Sequence, residues 1–259
     1  YYLAKQHRSL GIDEKEMVKI AVKSMGLDDL KPFNPEEKVI EYLLEKEDTT
    51  PKLVNMTCTG FANETASESP APGGGSISAY MGSLGAALGT MVASLSSHKT
   101  GRGDEWAWVS GWAEKGQLLK DQLLALVDED TNAFNVIMNA FGMPKGTPEE
   151  KEARSQAIQD ATKYATEVPM RTIETSFKVF EICEAMINKG NPASVSDAGV
   201  GVLCARAAVH GAYLNVKINA SSLKDKEWAE MMINKAHDYV VKADQIERRL
   251  MKKTEKVIG

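Results

Sequence analysis

Three acidic residues in succession, Asp128, Glu129 and Asp130, interrupt a segment that otherwise reads as an apolar helix. Leu123, Leu126, Val127, Phe134 and Ile137 mark its core side. Asp130 falls between Val127 and Phe134 at helical spacings of three and four, so it faces inward. A carboxylate turned toward a core is costly unless it is paired or used in chemistry. Glu129 points to another face and is expected in solvent. A second acid, Asp197, opens a helix of small residues in which Gly201, Ala205, Ala208 and Ala212 share its face. It has two readings: an acid in the first turn, favoured there by the helix dipole, or a carboxylate buried beside a ligand where another helix packs closely. Asn215 and Asn219, four apart, share a face and suit either a ligand or a helix end.

A run of glycines supplies the other chemistry. In Pro70-Ala71-Pro72-Gly73-Gly74-Gly75-Ser76, a helix starting near Ser76 leaves several backbone N–H groups unpaired. Gly73, Gly74 and Gly75 let the backbone approach a ligand closely. Together they suit an anionic or carbonyl-bearing group. No Gly-Lys-Ser/Thr follows, so this is not a Walker loop, and no strand precedes it, so it is not a Rossmann fingerprint. A turn that merely caps a helix is the simpler reading. Lys99, at the far end of the helix that the glycines open, is the nearest basic residue in sequence. It serves either the helix C-terminus or a site.

The elements that must position these groups read as helices almost throughout; alternation of the strand type is rare. Residues 13–25 carry Asp13 as N-cap, Glu16 three residues on and Gly26 as C-cap. A second helix restarts at Pro35 behind Asn34. Glu45 to Lys52 reads as a linker, with a boundary near residue 50. Helices are then expected over 53–66, 76–98, 104–141, 148–189, 196–220 and 225–257, with Thr147 capping the fourth and Pro169 kinking or splitting it. The implied fold is an all-α antiparallel bundle of long helices with a short helical N-terminal appendage. No charge occurs from Ser69 to Ser97. Along 77–95, Met81, Leu84, Leu88, Met91 and Leu95 form an apolar stripe, Gly82, Ala86, Gly89 and Ala93 a small one. A helix with no charged face is expected to be surrounded on all sides. It has the length of a membrane span and a G-x-x-x-G, Gly85 to Gly89, but Gly, Ser, Ala and Thr keep its hydropathy weak, and no membrane is expected.

Composition narrows the classes. The 259-residue chain is 43% hydrophobic with a net charge of −5, which suits a globular protein and gives no basic surface for nucleic acid. Cys58, Cys183 and Cys204 are far apart and odd in number, pointing to reduced thiols in a cytoplasmic protein. His7, His98, His210 and His237 lack ligand spacing, and no metal is expected. No secretory signal is visible. The chain opens on Tyr1 within a helical pattern, so the native protein is expected to extend further toward the N-terminus.

Six segments in one order carry a resemblance: "PAPGGGSISA" (70–79), "GAALGTMVASL" (85–95), "LVDEDTNAF" (126–134), "VPMRTIE" (168–174), "GNPASVSDAGV" (190–200) and "GAYLNVKIN" (211–219). Over roughly 53–250 the chain resembles the formiminotransferase-cyclodeaminase family. Residues 1–45 resemble the C-terminal end of its formiminotransferase part, so that 1–50 reads as that tail and linker and 51–259 as the cyclodeaminase domain of a bifunctional parent. The resemblance implies 5-formiminotetrahydrofolate as substrate, 5,10-methenyltetrahydrofolate and ammonia as products, and no tightly bound cofactor. It also implies a homodimer or larger homo-oligomer with active sites at the subunit interface. Under it, Asp197 and Asp130 are candidates for acid–base work or for stabilising a cation, and Lys99 for an acid or an anion partner. Gly73, Gly74, Gly75, Ser76 and Asn215 are candidates for holding substrate. A polyglutamylated folate tail has a possible partner in the basic C-terminal helix "KADQIERRLMKKTEK", whose simpler reading is a solvated face. Two other readings compete: a methenyltetrahydrofolate cyclohydrolase, and a non-catalytic helical module whose small-residue stripes serve only oligomerisation.

Overall fold

The computed structural model describes residues 1–47, 50–99 and 103–259, with the backbone alone at Glu45. Among them there are helices and no strands. Four short helices come first: α1 (Tyr2–Lys5), α2 (Glu14–Ser24), α3 (Pro35–Lys38) and α4 (Ile40–Glu47). Asp13 accepts from the Glu16 N–H at the start of α2, and Gly26 beyond its end has φ +66°, a conformation that favours glycine. Val39 leaves the helical region between α3 and α4, so the single helix expected there is two. The expected linker falls partly on 48 and 49, outside the described residues. A 3₁₀ turn (Leu53–Asn55) and α5 (Cys58–Thr65) lead to the bundle.

The bundle is built from α6 (Gly74–Ser97), α7 (Asp104–Phe141), α8 (Pro148–Lys189), α9 (Val195–Ser221) and α10 (Lys226–Ile258). Consecutive long helices pack on each other, α6 also packs on α8 and α9, and α10 lies against α9 and α8. Thr147 and Glu150 form a reciprocal capping box at the start of α8. The central contacts are made by small residues. A methyl group added at Gly82 would meet Ser176 Oγ at 2.4 Å, one at Gly116 would meet Thr90 Oγ1 at 2.0 Å, and one at Gly85 would meet the Gly201 carbonyl at 2.9 Å. Leu123, Ile173, Phe180, Ile182 and Met186 fill the space between these close crossings.

Close packing on the small stripe has a consequence for the large one. With α7 and α8 seated against Gly82, Gly89 and the Ala86 carbonyl, and α9 against Gly85, the leucine and methionine row of α6 is left toward the outside. Leu84, Met91 and Leu95 are 42%, 38% and 40% exposed. The expectation that α6 is surrounded on all sides is therefore corrected for the single chain. By length and composition α6 could cross a membrane, but 61% of that window is buried in the bundle. Val200, Leu203, Leu214 and Ile218 of the neighbouring α9 are exposed too.

Pro169 does not split α8, which runs unbroken for 42 residues. A proline in mid-helix leaves the carbonyl four residues earlier without its N–H partner. Here that carbonyl belongs to Ala165, and the Asn219 side chain of α9 donates to it at 2.6 Å. The lost helical hydrogen bond is replaced from a neighbouring helix.

Candidate active site

The three successive acids of α7 diverge to three partners. Asp128 accepts from the Leu53 N–H at 2.6 Å and so anchors the 3₁₀ turn to the bundle. Glu129 accepts from the Tyr164 hydroxyl at 3.0 Å and from the fork of the Arg171 guanidinium, both on α8. This corrects the expectation that Glu129 is simply solvated. Burial acts to raise its carboxyl, and the Arg171 and Tyr164 hydrogen bonds outweigh that and hold it below the ordinary value. Asp130 turns inward, as its spacing indicates, and meets the start of α6.

There, Asp130 Oδ2 accepts from the Ser76 N–H at 2.9 Å. The Ser76 hydroxyl lies 3.2 Å from the same oxygen and 2.9 Å from the Val127 carbonyl. A carboxylate of the chain itself thus occupies one of the donors at the helix start, where partial positive charge favours it. Burial nevertheless raises the Asp130 carboxyl above its ordinary value, against the lowering effect of Ser76. A half-buried acid poised in this way can both take and give a proton.

The glycines make the contact possible. A methyl group at Gly75 would lie 2.0 Å from Asp130 Oδ1, and one at Gly74 would lie 3.3 Å from Asn215 Nδ2. Gly73 is the N-cap in an extended conformation, with only the Pro70 carbonyl nearby. Ser76 is fully buried, so it serves to hold Asp130 rather than to meet a ligand directly. The Gly74 and Gly75 N–H groups have no partner among the described residues.

In front of Asp130 lies a cleft of about 160 Å³. Its walls are Pro70, Ala71, Gly73 and Gly74 before and at the start of α6; Asp130, Thr131, Ala133, Phe134 and Ile137 of α7; and Ala165, Asn215 and Asn219 opposite. Phe134 is partly exposed and offers an aromatic face. No Lys, Arg or His lines the cleft. It is smaller than the roughly 300–1,000 Å³ of pockets that enclose drug-sized ligands, so it takes one end of a larger molecule. A cavity of about 410 Å³ lies in the N-terminal appendage, with charged members Glu16, Lys19, Lys23 and Asp28 of both signs.

Asp130, Gly73, Gly74, Gly75, Ser76 and Asn215 therefore converge. Asp197 and Lys99 lie elsewhere. Asp197, in the first turn of α9, is five turns, roughly 27 Å, from Asn215. Lys99 follows the C-terminal end of α6, whose 24 residues put it roughly 36 Å from Gly74, and it donates to Asn191 Oδ1 at 2.7 Å. In one chain these two share the opposite end of the bundle. Phe134 and Ile137 line the cleft, Ile137 while also packing against the core, and Asn219 joins it because Pro169 frees the carbonyl that holds it. Among the described residues no three His, Cys, Asp or Glu side chains are grouped to hold a metal. Cys183 is buried, its thiol pushed up to about 12 by burial and then by Cys204, which makes it a poor nucleophile. On α10, Arg249 and Lys253 are tied to Glu184 of α8.

Residues 57–238 match the family described as Formiminotransferase-cyclodeaminase, and residues 1–45 match the Formiminotransferase domain. The chain is 36% identical over 228 residues to the formimidoyltransferase-cyclodeaminase of Gallus gallus, covering 88% of this chain and 42% of that protein. It is 37% identical over 196 residues to the methenyltetrahydrofolate cyclohydrolase of Methylorubrum extorquens, covering 76% of this chain and 94% of that one. The chain thus spans about two fifths of the vertebrate relative and nearly all of the bacterial one. The crystal structure of a formiminotetrahydrofolate cyclodeaminase from Thermotoga maritima superposes with a TM-score of 0.70 over 80% of this chain and all of that one; at 24% identity this establishes the shared fold.

Proposed function

The chain belongs to the formiminotransferase-cyclodeaminase family, and on that premise we propose that it converts 5-formiminotetrahydrofolate to 5,10-methenyltetrahydrofolate with release of ammonia. N10 of the folate attacks the formimino carbon and forms a tetrahedral centre. N10 then loses its proton, the former imino nitrogen gains one, and the C–N bond to it breaks as ammonia leaves. The positive charge of the protonated formimino group is retained in the methenyl product, so atoms and charge balance. The step needs one group able to carry a proton between two nitrogens, and a negative field for the cation. Asp130 is suited to both tasks. Its raised carboxyl, fixed at the glycine corner by the Ser76 N–H, is the observation that carries this reading.

The small cleft fits the reacting end of a pterin, leaving the rest of the folate to another wall. We assign that wall to a second copy of the chain. The adjacent helices α6 and α9 each carry a row of exposed apolar residues, and apolar surface of this kind suits association. An antiparallel two-fold pairing along these rows would carry the Asp197 and Lys99 end of one copy toward the glycine corner of the other. Asp197 would then add to the field around the cation, and Lys99 would meet the folate carboxylates or their polyglutamate extension.

Methenyltetrahydrofolate cyclohydrolase is a second reading, favoured by the bacterial relative covered over 94% of its length. The match of residues 1–45 to a formiminotransferase domain favours the deaminase, because a formimino group must be made before it is cyclised. Absorbance of the methenyl product separates the two: it grows from the formimino substrate in a deaminase, and decays from the methenyl compound and water in a hydrolase. No change in either direction refutes both and leaves a non-catalytic helical module.

A further inference from the structure

The polar atoms left without a partner along the cleft are of both kinds: the Gly74 N–H and the Thr131 hydroxyl can donate, while three side-chain oxygens accept. Asn215 donates its Nδ2 to the Gly211 carbonyl at 2.9 Å, and Asn219 donates its Nδ2 to the Ala165 carbonyl at 2.6 Å. A carbonyl can only accept, so both carboxamides are fixed with their NH₂ groups toward the helices. Their Oδ1 atoms have no partner among the described residues, and both side chains line the cleft. Asp130 Oδ1 is likewise free of the Ser76 contacts, which fall on Oδ2. Two carboxamide oxygens and one carboxylate oxygen are thus left to accept on residues that line a space with no Lys, Arg or His in its walls.

The Gly74 N–H keeps the expected site for an anion or a carbonyl open, but the side-chain oxygens favour a different occupant. An anion already sits at the helix start, Asp130 itself, and the complement of the three side-chain oxygens is a cationic group rich in N–H. A neutral carbonyl set against those three oxygens would leave them unpaired, which a buried site penalises.

We propose that Asn219 orients the substrate and determines specificity, with Pro169 as its positioning residue, and that the cleft selects a protonated formimidoyl group over the isosteric formyl group on the same folate nitrogen. The inference rests on the cyclodeaminase reading and deepens it. In the formimidoyl group the terminal nitrogen carries hydrogens; in the formyl group an oxygen stands in its place. Pro169 acts through Ala165. Because the proline has no N–H and its ring crowds the preceding turn, the Ala165 carbonyl is turned out of the helix ladder. That carbonyl then holds the Asn219 amide nitrogen, which aims the other end of the carboxamide, its oxygen, into the cleft. An alanine at 169 supplies an N–H that competes for the same carbonyl and frees Asn219 to rotate.

The test compares the unaltered protein with Pro169→Ala and Asn219→Ala. Initial rates give KM and kcat for 5-formiminotetrahydrofolate, competition gives Ki for 5-formyltetrahydrofolate, and thermal unfolding gives Tm. The unaltered protein should prefer the formimino compound. Both variants should lower the ratio of formyl Ki to formimino KM by about 10-fold or more, as expected for losing one hydrogen bond to a charged group. Pro169→Ala should do so with an unchanged or higher Tm, since alanine is the better helix former, and combining the two substitutions should add little to Asn219→Ala alone. A purely structural role for Pro169 would instead move Tm without moving the ratio. If the unaltered protein forms the methenyl product and the ratio stays the same in both variants, the specificity proposal is overturned and the cyclodeaminase reading stands. If it forms no methenyl product from the formimino compound, both fall together.

Discussion

Replacing Gly75 with alanine places a methyl carbon 2.0 Å from Asp130 Oδ1, 2.5 Å from its Cγ and 2.6 Å from Oδ2. All three lie below the 3.0 Å that side-chain carbons respect in folded proteins. The helix start is held by α7 and α9, so the carboxylate must swing away by about 1 Å or more, taking Oδ2 off the Ser76 N–H. The lost hydrogen bond to a charged group costs about 1.5–3 kcal/mol. The better helix propensity of alanine returns about 0.8–1.0 kcal/mol. A net loss of about 0.5–2 kcal/mol follows, or roughly 1–8 °C in Tm for a chain of this size. Activity should suffer far more, since displacing a reacting group by about 1 Å costs on the order of 100-fold. Gly73→Ala is the control for stability alone: its methyl group would meet only the Pro70 carbonyl, at an ordinary 3.7 Å. The double variant Gly75→Ala/Asp130→Ala removes the clash and should regain the stability of Asp130→Ala without regaining activity. Thermal unfolding and the methenyl absorbance assay read both effects. A Gly75→Ala protein with full turnover and unchanged Tm would show that Asp130 need not touch the helix start.

Asp130→Asn should lower turnover by about 10²–10⁴-fold, the usual worth of a positioned acid–base group. Because folding raises this carboxyl, the unfolded chain releases the proton first as pH rises, and Asp130 makes stability fall between its ordinary value and the higher folded one. The asparagine variant should lack that pH-dependent loss, visible as a Tm difference that grows from acid toward neutral pH. Glu129 has the opposite sign: its lowered carboxyl contributes stability above the ordinary 4.5 that is lost as pH falls through the folded value. Arg171→Met should therefore cost about 1 kcal/mol at neutral pH, discounted for partial exposure, and little at acid pH, as followed by urea unfolding at both. Leu84→Glu, on the row of α6 proposed to pair two copies, should leave the helical circular dichroism intact and halve the mass seen by light scattering; an unchanged mass refutes pairing along that row.

Local chemistry made much of the fold readable. Asp13, Thr147 and Gly26 announced helix ends by their own preferences, and the positions of Val127 and Phe134 were enough to turn Asp130 inward. Periodicity distinguishes the faces of a helix but does not say which is covered. On α6 one row is small and another large, and both are uncharged. Only the close approach of α7, α8 and α9 decides that the small row lies inside. The unbroken course of α8 through Pro169 and the pairing of Glu129 lie beyond local pattern for a related reason. Each is answered by a partner from another helix, Asn219 for the first and Arg171 with Tyr164 for the second, and no local pattern reports such pairs. Asn219 was visible as the neighbour of Asn215 on one helical face; the missing signal was the carbonyl that a mid-helix proline exposes four residues earlier. Asp197 lies in the first turn of α9 and Lys99 just past the end of α6, and the length of these helices holds both at the far end of the bundle.

The most direct measurement is the rate of methenyltetrahydrofolate appearance from 5-formiminotetrahydrofolate with the unaltered chain and with Asp130→Asn at equal, fully folded concentration. Rapid formation by the first and at least a 100-fold slower rate for the second is the predicted result, given the usual worth of such a group. Equal rates in the two proteins would contradict the assignment of proton transfer to the carboxyl at the glycine corner.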